Sequence, residues 1–324
     1  MIGDLCNVSA QNLRDQAREN SSTHHFDITV GYRYLSSSRH FVGTVEQVQR
    51  EILHNQVENN IHLMDVAISY QLNHRWSLTG SLPIMVATRN EPKRGLFHVA
   101  GIGDASIGAR AWIFRNPTES GGNVSFGLSL KMPTGKDNFQ DFAFIGGKRV
   151  VITSDESVQA GDGSWGLALE TSGYQRTYFN SMLYFSGTYL FNSLFNSKGT
   201  NGIPTFRTRP GEDVIAITDE YLYRGGISHA LPKIKGLIGT IGGRMEGVPV
   251  RNAFGQSLGF RRPGYAISLD PGFIYARGRN TFSCNVPWAV ERNRRASVSD
   301  IANHTHGDAA FADYLLMLSY TRHF

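Results

Sequence analysis

From Trp76 onward every second residue is apolar or glycine, through Leu78, Gly80, Leu82, Ile84 and Val86, with Ser77, Thr79, Ser81, Pro83 and Met85 between them. A strand points successive side chains to opposite faces, so this alternation specifies one greasy face and one polar or small face. The run exceeds the length of most soluble strands, and ten residues tilted at about 45° match a hydrocarbon layer of roughly 25 Å. The same rhythm recurs along most of the chain. It predicts an all-β fold, a transmembrane up-and-down antiparallel β-barrel of about 12 strands.

Composition narrows the alternatives. Charged residues make up 18% of the 324 positions, below the roughly 25% of ordinary soluble domains. Mean hydropathy is nevertheless −0.26. No stretch approaches eighteen consecutive apolar residues, which excludes a helical membrane protein. A barrel, whose lumen and loops offset its apolar band, is expected to look mildly polar overall. The net charge of +5 comes from scattered basic residues and pairs such as Arg261-Arg262 and Arg294-Arg295. They form no nucleic-acid stripe and suit a lipopolysaccharide surface or a pore.

Strands are expected at 26–35, 61–72, 75–87, 102–115, 123–133, 165–177, 181–192, 213–229, 236–248, 264–277, 280–291 and 311–324. The connections after even-numbered strands are short and rich in turn residues, such as Asn73-His74, Phe179-Asn180 and Gly278-Arg279. Those after odd-numbered strands, 36–60, 88–101, 134–164, 193–212, 249–263 and 292–310, are long. Outer-membrane barrels put short turns in the periplasm and long loops outside, which predicts a bacterial outer-membrane location with both termini periplasmic. Residues 1–25 are then a periplasmic N-terminal segment, with a helix or inward plug over 9–20, and 26–324 the barrel. The N-terminus has neither the basic nor the apolar region of a signal peptide, so a processed chain is expected. Cys6 is read as neither lipidated nor paired with Cys284.

Phase assigns the wall. Ile28, Val30, Tyr32, Val66, Ile68, Tyr70, Ile107, Ile113, Phe126, Leu128, Leu130, Leu167, Leu169, Leu183, Phe185, Ile215, Ile217, Ile267, Leu269, Phe282, Val286 and Trp288 are placed outward, and none is charged. A cation at the bilayer midplane would cost about 2 to 4 kcal/mol, so lipid exposure demands such a phase. Tyr32, Tyr34, Trp76, Trp112, Tyr189, Tyr221, Tyr223, Tyr275 and Tyr320 suit interfacial girdles, although Trp112 has the inward phase. Unpaired backbone in hydrocarbon is costly, so first and last strands must pair. The terminal run to Phe324 resembles the signal read by the bacterial outer-membrane insertion machinery.

Inward fall Asp27, Arg33, Asp65, Asp104, Arg110, Lys131, Glu170, Glu220, Arg224, Arg244, Glu246 and Asp270. Charges of both signs need partners or water. Either they line an aqueous path and set its selectivity, or they cross-link the wall and partly plug it. The strand count implies a narrow pore at best, and a narrow channel is the reading taken. In the first long loop, Val45, Val48 and Ile52 have helical spacing, either a cap over the mouth or a solvated helix.

No catalytic, metal or cofactor site emerges. His304-Thr-His306-Gly-Asp308 lacks a further ligand nearby. Gly101-Ile-Gly103 opens no helix, and no Gly-x-Ser-x-Gly elbow occurs. Asp104 and Arg110 are read as pairing within the wall ahead of any ligand contact.

Three stretches, Ser81-Leu-Pro-Ile84, Gly101-Ile-Gly-Asp-Ala-Ser-Ile-Gly-Ala-Arg110 and Leu128-Ser-Leu-Lys-Met-Pro-Thr-Gly-Lys136, resemble by order and spacing the outer-membrane family named for the meta-pathway of phenol degradation, which is described as transporter-like. The resemblance implies an outer-membrane location and uptake of small, often aromatic or apolar compounds. The expected function is therefore a non-enzymatic channel for passive diffusion of such solutes, in contact with outer-membrane lipid and lipopolysaccharide. The alternative is a structural or docking barrel holding a partner chain, or another copy of itself, through its long loops or N-terminal segment.

Overall fold

A computed structural model describes residues 25–114 and 121–324. Nearly all of the 1–25 segment, with Cys6 and the 9–20 helix or plug, lies outside the described residues, as does most of the 116–123 turn.

Twelve antiparallel wall strands close into a barrel. They are β1 His25–Val42, β2 Glu58–Gln71, β3 Trp76–Glu91, β4 Gly95–Ile102 with Ser106–Trp112, β5 Gly122–Lys131 and β6 Gly166–Arg176. The remainder are β7 Ser181–Phe191, β8 Glu220–Ala230, β9 Leu237–Val248, β10 Gly264–Leu269 with Gly272–Arg277, β11 Asn280–Asn285 with Trp288–Arg294, and β12 Ala309–His323. Closure is the pairing of β1 with β12, from Asp27↔His323 to Phe41↔Ala309, which leaves neither strand as a bare edge.

The two-residue rhythm sorts the wall as expected. On β5, Phe126 is 57% exposed while its neighbour Ser125 is 1% exposed. A hydrophobic surface that open is unfavourable in water and is what a lipid-facing wall presents. Aromatic pairs gather toward both rims: Phe26 stacks on Phe324 at 4.8 Å and Phe282 on Tyr320 at 4.8 Å near the short turns, while Tyr34 meets His62 at 4.9 Å and Tyr221 meets Tyr223 at 5.7 Å farther up. Trp112 belongs to neither rim; it is buried, edge-on to Tyr174 at 5.8 Å.

Two expectations need correction, and a third segment takes one of its two expected forms, the solvated helix. Strand eight begins at Glu220 rather than 213, and Val214–Ala216 instead pairs with Thr200–Pro204 in a loop hairpin. Ile215 and Ile217 are consequently buried under the loops and face no lipid. Short apolar runs look alike in a wall and in a loop that has its own core. Segment 88–101 is mostly strand: β3 and β4 run on in register from Ile84↔Ile102 to Glu91↔Gly95. Polar residues such as Arg89 and Glu91 hid this extension. In the first loop, Val45, Val48 and Ile52 are all exposed, and α1 (Gln49–Ile52) buries nothing. The residue that reaches the mouth from that helix is Arg50.

Candidate functional site

Inside the barrel, side chains stack in tiers from the short-turn end to the loop end. The first tier is hydroxylic. Thr29 meets Thr321 at 3.0 Å, Ser69 meets Thr79 at 3.0 Å, Ser125 meets Ser172 at 2.7 Å and Ser283 meets Ser319 at 2.6 Å. Small inward residues satisfy one another across neighbouring strands and tie the wall together.

The second tier holds most of the inward charges. Arg33 on β1 reaches across the lumen to Glu246 on β9 at 3.3 Å, and Glu246 also takes Arg244 at 2.6 Å. Arg224 pairs with Asp270 at 2.5 Å and Arg110 with Glu170 at 3.1 Å. Lys131 sits between Asp104 at 3.2 Å and Asp162 at 2.5 Å. Asp65 and Glu220 are buried in the same tier, and Asp27 lies nearer the short turns on His323 at 2.6 Å. The side chains of these three pairs, of which Arg33–Glu246 spans the lumen, are under a tenth exposed. Buried pairs are a costly way to gain stability, but removing one partner leaves the other charge stranded, so the tier locks the waist.

The glycine-rich motifs also act here. Asp104 sits in the break of β4 and accepts the Gly135 N–H at 2.9 Å and the Asp162 N–H at 3.2 Å, which anchors the 132–165 loop. Gly103, Gly135 and Gly161 pack backbone to backbone. A Cβ on Gly135 would lie 2.8 Å from the Gly103 carbonyl carbon, so no larger residue fits without movement. The anchored loop folds into the lumen, where Val158 is wholly buried on Met85, Ala87 and Val99.

Above the charged tier lies a cavity of about 260 Å³. Its walls are largely apolar, with Leu35, Ile61, Leu63, Met85, Val248, Ala289, Phe311 and Leu315 among them. Arg33, Glu220 and Glu246 form its floor, and Glu156, Ser157 and Arg262 its roof. An apolar cavity of roughly 150 Å³ already accommodates benzene, so this one is large enough for a small aromatic body. Burial pushes the Glu156 carboxyl up to about 7, against the opposing pull of Arg262 at 3.2 Å.

One side of this cavity coincides with a seam in the wall. β10 and β11 both break at the same level, at Pro271 and Pro287, whose rings remove ladder donors. Beyond the break, the upper half of β11 pairs with β12 only through Trp288↔Tyr314. Its far end, Arg294, bonds instead to Gly43 in both directions at 2.9 Å. Across the gap Arg292 donates to the Ala312 carbonyl at 3.2 Å and pairs with Asp313 at 2.5 Å. Trp288 marks the start of the seam at the aromatic rim, and the exposed, outward Glu291 shows that it rises out of hydrocarbon.

The mouth is cationic. A second cavity of about 250 Å³ shares Asn59, Ser157, Arg262, Ala309 and Ala310 with the first and so lies directly above it. Arg50, Arg89, Arg94, Arg207, Arg209, Arg262 and Arg294 line it, against Glu91, Glu212, Asp300 and Asp308. Burial opposes it, yet the hydrogen bond from His40 and the Arg50 charge hold the Asp308 carboxyl down to about 2. Asp300 caps α2 (Val298–Ala302) through Ser297 and takes Arg294 and Arg209, each at 3.1 Å.

The inward charges were readable from phase. The mouth arginines were not, because they come from five separated segments and only Arg261-Arg262 and Arg294-Arg295 stood out as pairs. The seam had a legible signal in Pro271 and Pro287. His306 bonds the Arg294 carbonyl at 2.9 Å, while Asp308 turns to His40 and Arg50.

Fold and site together define a closed transmembrane β-barrel with a locked waist, an apolar upper cavity and a cationic mouth. The COG4313 outer membrane channel from Pseudomonas putida F1 is similar in structure, with TM-score 0.60 and 11% identity over 94% of this chain and 97% of that one. The β domain of the Bordetella autotransporter BrkA gives TM-score 0.51 and 13% identity over 94% and 100%. The Pseudomonas putida toluene transporter TodX gives TM-score 0.46 at 8% identity over 94% and 91%. Such identities speak to the fold alone. No protein-family model matches the chain, and no curated protein matches it.

Proposed function

We propose that this barrel is a bacterial outer-membrane channel for passive diffusion of small apolar solutes, aromatic compounds included. The solute enters at the loop end, rests in the upper cavity and leaves sideways through the seam into the outer-leaflet interface. The short turns and both termini then face the periplasm, with 1–25 a periplasmic segment and lipopolysaccharide around the loops. The observation that carries this reading is an apolar cavity with the lumen-crossing Arg33–Glu246 pair in its floor and the seam along one side. An aqueous pore gains nothing from such a floor, whereas an apolar solute that exits sideways never crosses it. The likeness to an outer membrane channel and the resemblance to the meta-pathway family point the same way.

The test uses cells expressing the protein with Cys6 and Cys284 replaced by Ser. Entry of N-phenylnaphthylamine, a neutral aromatic probe that fluoresces in lipid, should rise above that of cells lacking the barrel. Bridging Ala289→Cys to Ala310→Cys with a bis-maleimide should return it to background. Unchanged entry after bridging would overturn the sideways route.

A further inference from the structure

The mouth cavity holds seven arginines and four acids among its lining residues, an excess of three cations that Asp155 behind Arg262 reduces to two and that falls to one once Glu156 ionises above about pH 7. The leftover cation can be identified from the pairing. Six of the arginines have a carboxylate within 3.3 Å: Arg50 on Asp308, Arg89 and Arg94 on Glu91, Arg209 on Glu212 and Asp300, Arg262 on Asp155, and Arg294 on Asp300. Arg207 does not. Its nearest acid among the described residues is Glu212, whose Oε2 lies 3.7 Å away while its Oε1 takes Arg209 at 3.3 Å and the Ser299 hydroxyl at 3.2 Å.

Instead the Arg207 guanidinium lies 3.5 Å over the centre of the Phe260 ring, with Arg262 also on that ring at 4.6 Å. A ring face offsets part of a cation's desolvation but satisfies none of its N–H donors, and Arg207 lines the cavity. Burial first, and then the nearby Arg262, push Arg207 down to about 10, with the charges of Asp155, Glu156 and Glu212 pulling the other way. A planar carboxylate matches a guanidinium through two parallel hydrogen bonds. Immediately below are Ala309 and Ala310, shared by both cavities, and then the apolar chamber.

We infer that Arg207 captures the carboxylate of an amphipathic organic acid whose apolar or aromatic body hangs into the chamber beneath, so that the mouth selects acids over neutral compounds of the same shape. This rests on the reading above that the chamber accepts apolar bodies. Phe206 adds a second aromatic face, with Arg94 3.6 Å from its centre, so the headgroup site is built from stacked, held guanidiniums rather than from free surface cations.

The test is calorimetric titration of the nanodisc-embedded protein with 4-phenylbutyrate and with the neutral 4-phenylbutan-1-ol, empty nanodiscs subtracted. The acid should bind wild type at least roughly tenfold more tightly, the scale of one charge-assisted hydrogen bond. Arg207→Gln should abolish that preference and leave the alcohol unchanged, and Arg207→Lys should restore part of it. Each variant is first shown to be folded by its heat-dependent shift on denaturing gels. Equal binding of acid and alcohol, or a preference that survives Arg207→Gln, overturns the inference and leaves the channel reading standing. Binding of neither ligand to wild type overturns both.

Discussion

The two halves of this barrel obey the same alternation and reach opposite results. Toward the short turns, small hydroxyl residues pair across adjacent strands and the wall is hydrogen-bonded all round, including the β1–β12 closure. Toward the loops, two prolines interrupt neighbouring strands, the ladder between β11 and β12 shrinks to one pair, and apolar side chains surround an open chamber. Between the halves lies the tier of crossed ion pairs. A closed wall with small interior groups serves as a frame, and a wall missing part of its ladder can admit a ligand.

The boundary tier should show the largest effect. Glu246→Ala takes a carboxylate away from both Arg33 and Arg244, and breaking a buried pair this way costs about 3 to 5 kcal/mol. Lower unfolding resistance in urea and a raised ion conductance in planar bilayers are expected. An intact waist without Glu246 would mean that the tier does not separate the halves.

Next comes the loop that roofs the chamber. Gly135→Ala forces the three-glycine contact apart and should cost about 1 to 3 kcal/mol, the usual penalty of overpacking. Proteolysis should then appear first within 132–165, with the wall still resistant. A cross-link placed in the lower half, Ser283→Cys to Ser319→Cys, should leave probe entry unchanged, in contrast to the bridge across the seam.

A pH series sharpens the contrast further, because the titrating groups concerned belong to the loop end. Glu156 has its carboxyl raised from an ordinary 4.5 to about 7, so the fold favours its protonated form. That contribution is complete below about 4.5 and is lost as pH rises through about 7. Asp308 behaves oppositely: held at about 2, it contributes above its ordinary 3.8 and loses that contribution as pH falls toward 2. Protease resistance of the loops should therefore decline from pH 5 to pH 8, and Glu156→Gln should flatten the decline. The smallest effect is expected in the frame, where Ser125→Ala removes one hydroxyl pair at about 0.5 to 1.5 kcal/mol and leaves solute entry alone.

Wherever the wall alternates, one face is greasy and the other is not, and lipid admits only one orientation, so phase alone marked Arg33, Arg110, Arg224 and Arg244 as inward. The errors fell where alternation stops meaning lipid. Ile215 and Ile217 have the right rhythm but pack beneath a loop hairpin, and Arg89 and Glu91 continue a strand after it has left hydrocarbon.

The chain's order of residues therefore determined the barrel, its up-and-down strand order and the alternation of its wall, because these depend on neighbours a few residues apart, whereas strands 264–277 and 280–291, expected whole, are broken at Pro271 and Pro287. Only the closed tertiary structure decided which inward charge meets which. Arg33 and Glu246 are distant along the chain and meet because the wall curves round to bring β1 opposite β9. The same holds for the mouth, where arginines from separate segments converge on one cavity and their shared acids leave Arg207 with its nearest carboxylate 3.7 Å away. Local spacing governs phase, while pairing across a lumen depends on closure, and no stretch of sequence contains that information by itself.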